Sequence, residues 1–350
     1  MIRVAGFFFV IAVVGLEVTI LWGAWIGLTA APAERLPLLG NRPENIAILP
    51  DPEAHDPYTF AVIGDTKGNQ EIAEWLFEKG QDTKPAFVLH LGDFVEDPGE
   101  WEYRYVVPEF QEIRHVPVFV VPGNHDLDMK GSKEGQWFDR VLGPRQIHFI
   151  YRNDLFIIAD DVTQSIGDLV RWLDEVLQRE AGGRRYIFLA MHIPIFDIKN
   201  DQFLVERSHP IHQLAKKWGI SYAFFGNYHS FLSMEVDGVK YVVSGGGGSR
   251  LYGKAGFYHT MVFDVSDAGI QSVLHVSHYA VSVRDALDRV VTYVNSLEDI
   301  FEWLVIADFL PFGYAHPYLT LMLFITIQAS IIGCGIGIGR KGRRPRATGI

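Results

Sequence analysis

From Tyr58 onward, short continuously apolar runs alternate with stretches whose apolar residues recur every three or four positions. TFAVIG is the first such run. NQEIAEWLFEKG follows with Ile72, Trp75, Leu76 and Lys79 at helical spacing, and AFVLHLG completes a β-α-β unit. A helix over Trp101–Ile113 leads into the strand VPVFVVPG, and FIYRNDLFIIADD reads as antiparallel strands. DLVRWLDEVLQRE, with Leu169, Trp172, Leu173 and Val176 on one face, is an amphipathic helix that feeds the strand YIFLAMH. RSHPIHQLAKKWG and SYAFFG repeat that pairing of helix and strand. The remainder is strand-rich: FLSMEVDGVKYVVSG is a hairpin turning at Asp237-Gly238, and FYHTMVFDV and IQSVLHVSHYA follow. Alternation that ends in strands predicts an α/β fold of two facing sheets covered by helices.

The two ends carry a different pattern. Gly6 to Ala31 is apolar with Glu17 as its one charge, and exceeds the roughly 20 residues that a helical span needs. Residues 1–32 therefore read as a transmembrane anchor. The competing reading is a cleaved secretory signal ending near Ala31-Pro32-Ala33, but signal cores run about 7–15 residues and only Arg3 precedes this one. A second apolar run, 309–339, stops at Arg340-Lys341-Gly342-Arg343-Arg344, and the basic tail 340–350 marks the cytoplasmic side. Two spans place everything between them outside the cytoplasm: a Pro-rich linker over 33–57, a domain over 58–280 and an amphipathic juxtamembrane helix over 281–308. The expectation is an integral protein of the cell or inner membrane, with the lipid bilayer as a partner. Glu17 is expected to face another helix. Gly333-x-x-x-Gly337 and Gly335-x-x-x-Gly339 allow either helix association into a homo-oligomer or a plain lipid-facing helix.

Charge sharpens this division. The formal net charge is −11, from 31 basic and 42 acidic residues, yet Arg340, Lys341, Arg343, Arg344 and Arg346 lie in the tail, so residues 1–339 carry −16. A body this acidic repels a phosphate backbone, which excludes nucleic-acid binding through a broad basic surface. Cys334 is the one cysteine, so no intramolecular disulfide forms.

In α/β sheets ligands bind beyond the carboxyl ends of the strands. Here GDTKGN (Gly64–Asn69), GDFVED (Gly92–Asp97), GNHD (Gly123–Asp126), MHIP (Met191–Pro194) and GNYHS (Gly226–Ser230) each follow an apolar run. Any one of them is turn chemistry by itself. Five in succession supply the hard oxygens and imidazoles that a pair of divalent cations needs.

This set resembles the calcineurin-like metallophosphoesterases, with GNHD behind an apolar strand its most specific element and matching segments from Thr59 to about Gly248. The resemblance points to a bacterial, membrane-anchored member of the purple-acid-phosphatase-like branch. It implies a four-layer α/β/β/α sandwich, flanked here by N- and C-terminal transmembrane helices, and a centre of two divalent ions (Mn, Fe, Zn or Mg). By that resemblance Asp65 holds the first metal, Asp93 bridges both, Asn124 and His192 hold the second, and His229 returns to the first. His125 becomes the catalytic histidine, and Asp126, carried with it, braces the loop. Two positions depart from the family pattern. The third residue of the first motif is Lys67 where phosphodiesterase-type members have His, and the first His of Gly-His-x-His is Asn227. Lys67 cannot bind metal and either contacts a phosphate oxygen or is a solvated loop residue. Asn227 offers a weaker, neutral amide oxygen as a ligand. Glu96 either orients His125, replaces a tyrosine ligand or points to solvent. Lys67, Asn69, Glu96 and Arg250 are thus candidates to support the ligands or meet substrate. The glycine run Ser244–Arg250 reads as an anion-binding loop or a flexible turn. The implied function is a membrane-anchored phosphoesterase that hydrolyses phosphate mono- or diesters with a metal-activated hydroxide. The alternative is a degenerate binding or scaffold protein with an incomplete metal centre.

Overall fold

The computed structural model describes residues 17–29, 39–50, 57–67, 70–127, 136–199, 202–204, 206–252, 256–277 and 309–328. The chain divides into two units, Pro32–Arg289 on one side and Met1–Ala31 with Val290–Ile350 on the other.

In the larger unit the order is α1 (Pro43–Ala47), β1 (Tyr58–Ile63), α2 (Gln70–Gln81), β2 (Val88–His90), α3 (Glu100–Ile113), β3 (Val118–Val120), α4 (Gln136–Val141), β4 (Ile147–Tyr151), β5 (Asp154–Ile158) and α5 (Ile166–Glu180). Then follow β6 (Ile187–Ala190), β7 (Asp197–Lys199), β8 (Gln202–Leu204), α6 (Pro210–Trp218), β9 (Tyr222–Phe225), β10 (Phe231–Val236), β11 (Val239–Ser244), β12 (His259–Ser266) and β13 (Gly269–Val276). One sheet has the order β13-β12-β1-β2-β3 and the other β10-β11-β9-β6-β5-β4, with β7-β8 a separate two-stranded ribbon. β1, β2 and β3 run parallel, as do β5, β6, β9 and β11.

Strand alternation builds the layers. In β1, Phe60 and Val62 point to the other sheet, while Ala61 and Ile63 pack under α2 and α3. Aromatic rings fill the space between the sheets: Phe60 stacks on Phe87 at 5.5 Å and on Phe263 at 5.0 Å, and meets Phe156 and Phe188 edge-on at 5.4 and 5.3 Å. Such pairs add about 0.5–1.5 kcal/mol each beyond area burial. The outer face of the second sheet is covered by α5 and α6 through Leu169, Leu173, Val176, Ile211 and Leu214. The result is the expected four-layer α/β/β/α sandwich. α5 starts where Ser165 Oγ accepts from the Asp168 N–H, and α6 starts at Pro210 and ends at Gly219 in the left-handed region (φ 68°). The hairpin at Asp237-Gly238 forms as expected, with φ of 50° and 84°. The short elements α1, α4, β7 and β8 carry too few residues for a periodic signal.

The stretch 33–57, expected as a linker, enters the fold over 39–50. Leu39, Asn41, Asn45 and Leu49 are buried. Asn41 is the reason: its amide donates to Val120 O (2.6 Å) and Pro144 O (2.9 Å), and its Oδ1 accepts from the Val120 N–H (2.9 Å).

The smaller unit contains helical stretches 17–29 and 317–328 and the helix Phe309–Ala315. Gln328 Nε2 donates to both carboxylate oxygens of Glu17 at 3.3 Å, so Glu17 does face another helix. Among the described residues no helix is long and apolar enough to cross a membrane, so the flanking spans expected from sequence are not seen as such. The remainder of both apolar runs, the expected helix over 281–308 and the tail 340–350 lie outside the described residues.

At the start of β1 and β5, Asp154 ties the sheets together. Fully buried, it accepts from Tyr58 Oη (2.8 Å), Arg185 Nη2 (2.6 Å) and Nε (3.1 Å), and the Tyr186 N–H (3.0 Å). Burial and the Asp154 charge push the Tyr58 hydroxyl far above its ordinary range, so it stays a donor. Replacing Asp154 by Ala leaves the buried Tyr58 hydroxyl without its acceptor and the part-exposed Arg185 with Asp267 alone, and is expected to cost about 1–3 kcal/mol, read as a lower urea midpoint of the full chain.

Candidate metal centre

Five parallel strands, β1, β2 and β3 of one sheet and β6 and β9 of the other, end at the same edge of the sandwich, and each hands the chain to one of the five polar motifs. Sharp reversals aim the side chains inward. Asp65, Asp93 and Asn227 adopt left-handed φ of 57°, 56° and 59°, conformations that cost about 1–2 kcal/mol each for a residue with a Cβ. Glycine beside them gives the room: a methyl on Gly226 would lie 2.7 Å from Asp65 Oδ2 and 3.0 Å from His192 Nδ1.

Asp65, Asp93 and His192 are buried and bring one ligand atom each within 4.8 Å of the others. His192 Nδ1 lies 2.8 Å from Leu91 O, and a carbonyl only accepts, so Nδ1 carries the proton. This leaves Nε2 facing Asn124 Oδ1 at 3.0 Å and Asp93 Oδ1 at 3.3 Å. His229 repeats the device: Nδ1 donates to Arg250 O at 2.6 Å, and Nε2 is 3.4 Å from Asp65 Oδ1. A histidine whose Nδ1–H is held by a carbonyl and whose Nε2 faces carboxylates is oriented as a metal ligand. Burial raises the pKa of Asp65. For Asp93 burial is outweighed by His192, Lys67 and His125, which bring it down to about 2. Two buried carboxylates, two oriented imidazoles and an amide oxygen therefore fit a hard or borderline divalent cation.

At the rim, His125 Nδ1 lies 2.8 Å from Glu96 O and 3.1 Å from Glu96 Oε1. Burial works against the imidazolium, but Glu96 and Asp93 prevail and raise its pKa to about 9. Of the readings open for Glu96, orienting His125 is the one this geometry carries. Asp126 is fully buried and accepts four backbone N–H groups, from Asp93 (2.9 Å), Phe94 (2.8 Å), Val95 (3.1 Å) and Gly123 (2.8 Å). It clamps the second and third motif loops to each other and has no oxygen left for proton transfer.

The family model of the calcineurin-like phosphoesterases matches residues 58–245, more than half of the chain. The chain belongs to that family. Among solved structures, the purple acid phosphatase PPD1 from yellow lupin (Lupinus luteus) seeds superposes with a TM-score of 0.52 at 13% identity, over 65% of this chain and 52% of that one. This chain thus spans about half the length of the lupin protein. GAP50, the anchor in the inner membrane complex of Plasmodium, gives a TM-score of 0.49 at 15% identity, covering 63% of this chain and 85% of that one. An archaeal phosphodiesterase gives 0.37 at 16% identity, covering 62% and 99%. At such identities the lupin match speaks to fold alone. No curated protein matches the sequence.

Against the calcineurin-like pattern, the two departures now have positions. Lys67 is buried, with Nζ 3.0 Å from Asp93 Oδ2, so it is neither solvated nor a loop ornament. Asn227 reaches the centre through its backbone, whose N–H donates to both Asp65 oxygens at 3.1 Å. Arg250 is exposed and contributes its carbonyl to His229; Asn69 lies outside the described residues. Three amides of the glycine run are engaged by the protein itself. Gly245 donates to Ser230 O of the fifth motif, and Gly247 and Ser249 donate to Gly64 O and Asp65 O of the first, so the run ties these two motifs down. Sequence reading missed Asp161, whose carboxylate accepts from the His192 and Ile193 N–H groups at 2.9 and 2.7 Å. The signal was present: Asp160-Asp161 follows the apolar run of β5 just as the five motifs follow theirs. Because Gly226 admits no side chain here, Gly226→Ala is expected to weaken Mn²⁺ binding roughly 10–100-fold in a direct titration; undiminished affinity would remove the cradle from the account.

Proposed function

We propose that this chain is a metal-dependent phosphoesterase of the purple-acid-phosphatase-like branch, anchored in a membrane with its catalytic domain outside the cytoplasm, acting on phosphate mono- or diesters. The observation that carries the catalytic part is the pairing of a ligand cluster, Asp65, Asp93, Asn124, His192 and His229, with an imidazole held at its rim. A divalent cation in that cluster supplies Lewis-acid polarisation of a phosphoryl oxygen and an acidified water. Asp93 Oδ1 and Asn124 Oδ1 both lie beside His192 Nε2, and these three atoms would hold such a cation. His125 keeps its Nδ1–H on Glu96, which leaves Nε2 to donate a proton to the departing ester oxygen. The buried walls of Leu91, Phe94 and Val121 keep bulk water away from the carboxylates behind the cluster. Retention of the His125–Glu96 pair favours an enzyme over a scaffold, which has no use for an oriented acid at the rim. His125→Ala is expected to lower kcat for an aryl phosphate or its diester by roughly 10²–10⁴-fold while leaving bound metal unchanged. Equal turnover in the variant would end its role as the acid.

The anchoring part rests on the apolar runs from Gly6 to Ala31 and over 309–339, and on the cationic tail behind the second. A topology reporter fused after Ile350 is expected to read cytoplasmic and one inserted near Pro52 to read extracytoplasmic. A cytoplasmic signal from the insertion near Pro52 overturns the orientation.

A further inference from the structure

Lys67 brings a permanent cation into the cluster. Its side chain is 4% exposed, and its ammonium lies 3.0 Å from Asp93 Oδ2 and 3.8 Å from Glu96 Oε1. The backbone holds it there: the Lys67 N–H donates to Asp93 O at 3.2 Å and its carbonyl accepts from Ser249 Oγ at 3.1 Å. The two oxygens of Asp93 are consequently divided. Oδ1 accepts from the His125 N–H at 3.0 Å and faces His192, whereas Oδ2 is taken by the ammonium. An ammonium carries no lone pair and cannot ligate a metal. A second divalent ion bridged through Oδ2 would have to displace it or lie against it.

Charge counting leads to the same place. Asp65 and Asp93 supply two negative charges to the buried cluster. One divalent cation together with Lys67 leaves a single positive charge, which a hydroxide or a phosphate oxygen neutralises. Two divalent cations beside Lys67 leave an excess of three at the ligands, and the nearest other acids among the described residues are already committed, Asp126 and Asp161 to backbone N–H groups and Glu96 to His125. Asp65 offers little slack, since the Asn227 N–H already engages both its oxygens.

Resting on the metal-dependent reading above, we infer that the centre holds one divalent cation, among Asp93 Oδ1, His192 Nε2, Asn124 Oδ1 and Asp65, and that the Lys67 ammonium replaces the second as a built-in charge. Such a charge attracts a phosphate oxygen but activates no water.

The test is a metal count on the full chain. After equilibrium dialysis against Mn²⁺, mass spectrometry of the metal is expected to give one Mn per chain, with the six-line electron paramagnetic resonance spectrum of an isolated ion. Lys67→His, which replaces the ammonium by an imidazole, is expected to double the count and produce an exchange-coupled spectrum. Two coupled ions in the unsubstituted chain overturn the inference while leaving metal-dependent hydrolysis standing, and so does a folded Lys67→His that still holds one. No bound ion at all in the unsubstituted chain overturns both readings. If Lys67→His does not fold, the count on the unsubstituted chain decides alone.

Discussion

Asp65 and Asp93 are buried side by side at the end of a sandwich whose core is aromatic and aliphatic, and two carboxylates in such surroundings repel each other without water to screen them. Every neighbouring device answers that repulsion. Lys67 and the backbone N–H groups of His125 and Asn227 point at the two acids, and His192 and His229 turn a nitrogen toward them. The compensation remains incomplete with protein groups alone, because one ammonium and two backbone N–H groups stand against two buried carboxylates. A bound divalent cation would offset the remaining charge. The cluster is therefore unfavourable as architecture and favourable as a cation site.

Holding it requires stiffness that a loop does not have. The motifs hang from parallel strands whose other faces are locked by stacked phenylalanines, and Asp154 with Arg185 and Tyr58 binds the sheets at the opposite end. Between motifs the restraint is hydrogen bonding to buried carboxylates: Asp126 joins the second motif to the third, and Asp161 fixes the fourth. Among the described residues these acids accept from backbone N–H groups, which are rigid donors, so the ligands arrive already positioned.

The layers and the motif edge were readable from the chain itself, because periodicity shows which face of an element is buried and a polar residue after an apolar run shows where a strand ends. Lys67 was not readable in this way. Its meaning depends on which oxygen of Asp93 it meets, and that follows from two left-handed residues and a serine far along the chain, Ser249. The glycine run illustrates the converse. Its composition suits an anion loop, but Gly245, Gly247 and Ser249 donate to carbonyls of the fifth and first motifs. Asp161 escaped because a doubled acid at a strand end looks like a turn, and the segment 39–50 because proline and polar residues look like a tether.

That segment bears on the sheet as well as on the boundary of the domain. β3 is the outermost strand of its sheet, and an outermost strand presents unpaired backbone groups that invite another strand. Asn41 supplies both a donor and an acceptor to Val120, imitating one rung of a missing neighbour. A protein trimmed to begin at Tyr58 would keep every ligand and lose this plug, and the exposed ladder would be free to recruit the same edge of another molecule. Solubility of the phosphoesterase-family domain is in this sense written upstream of it.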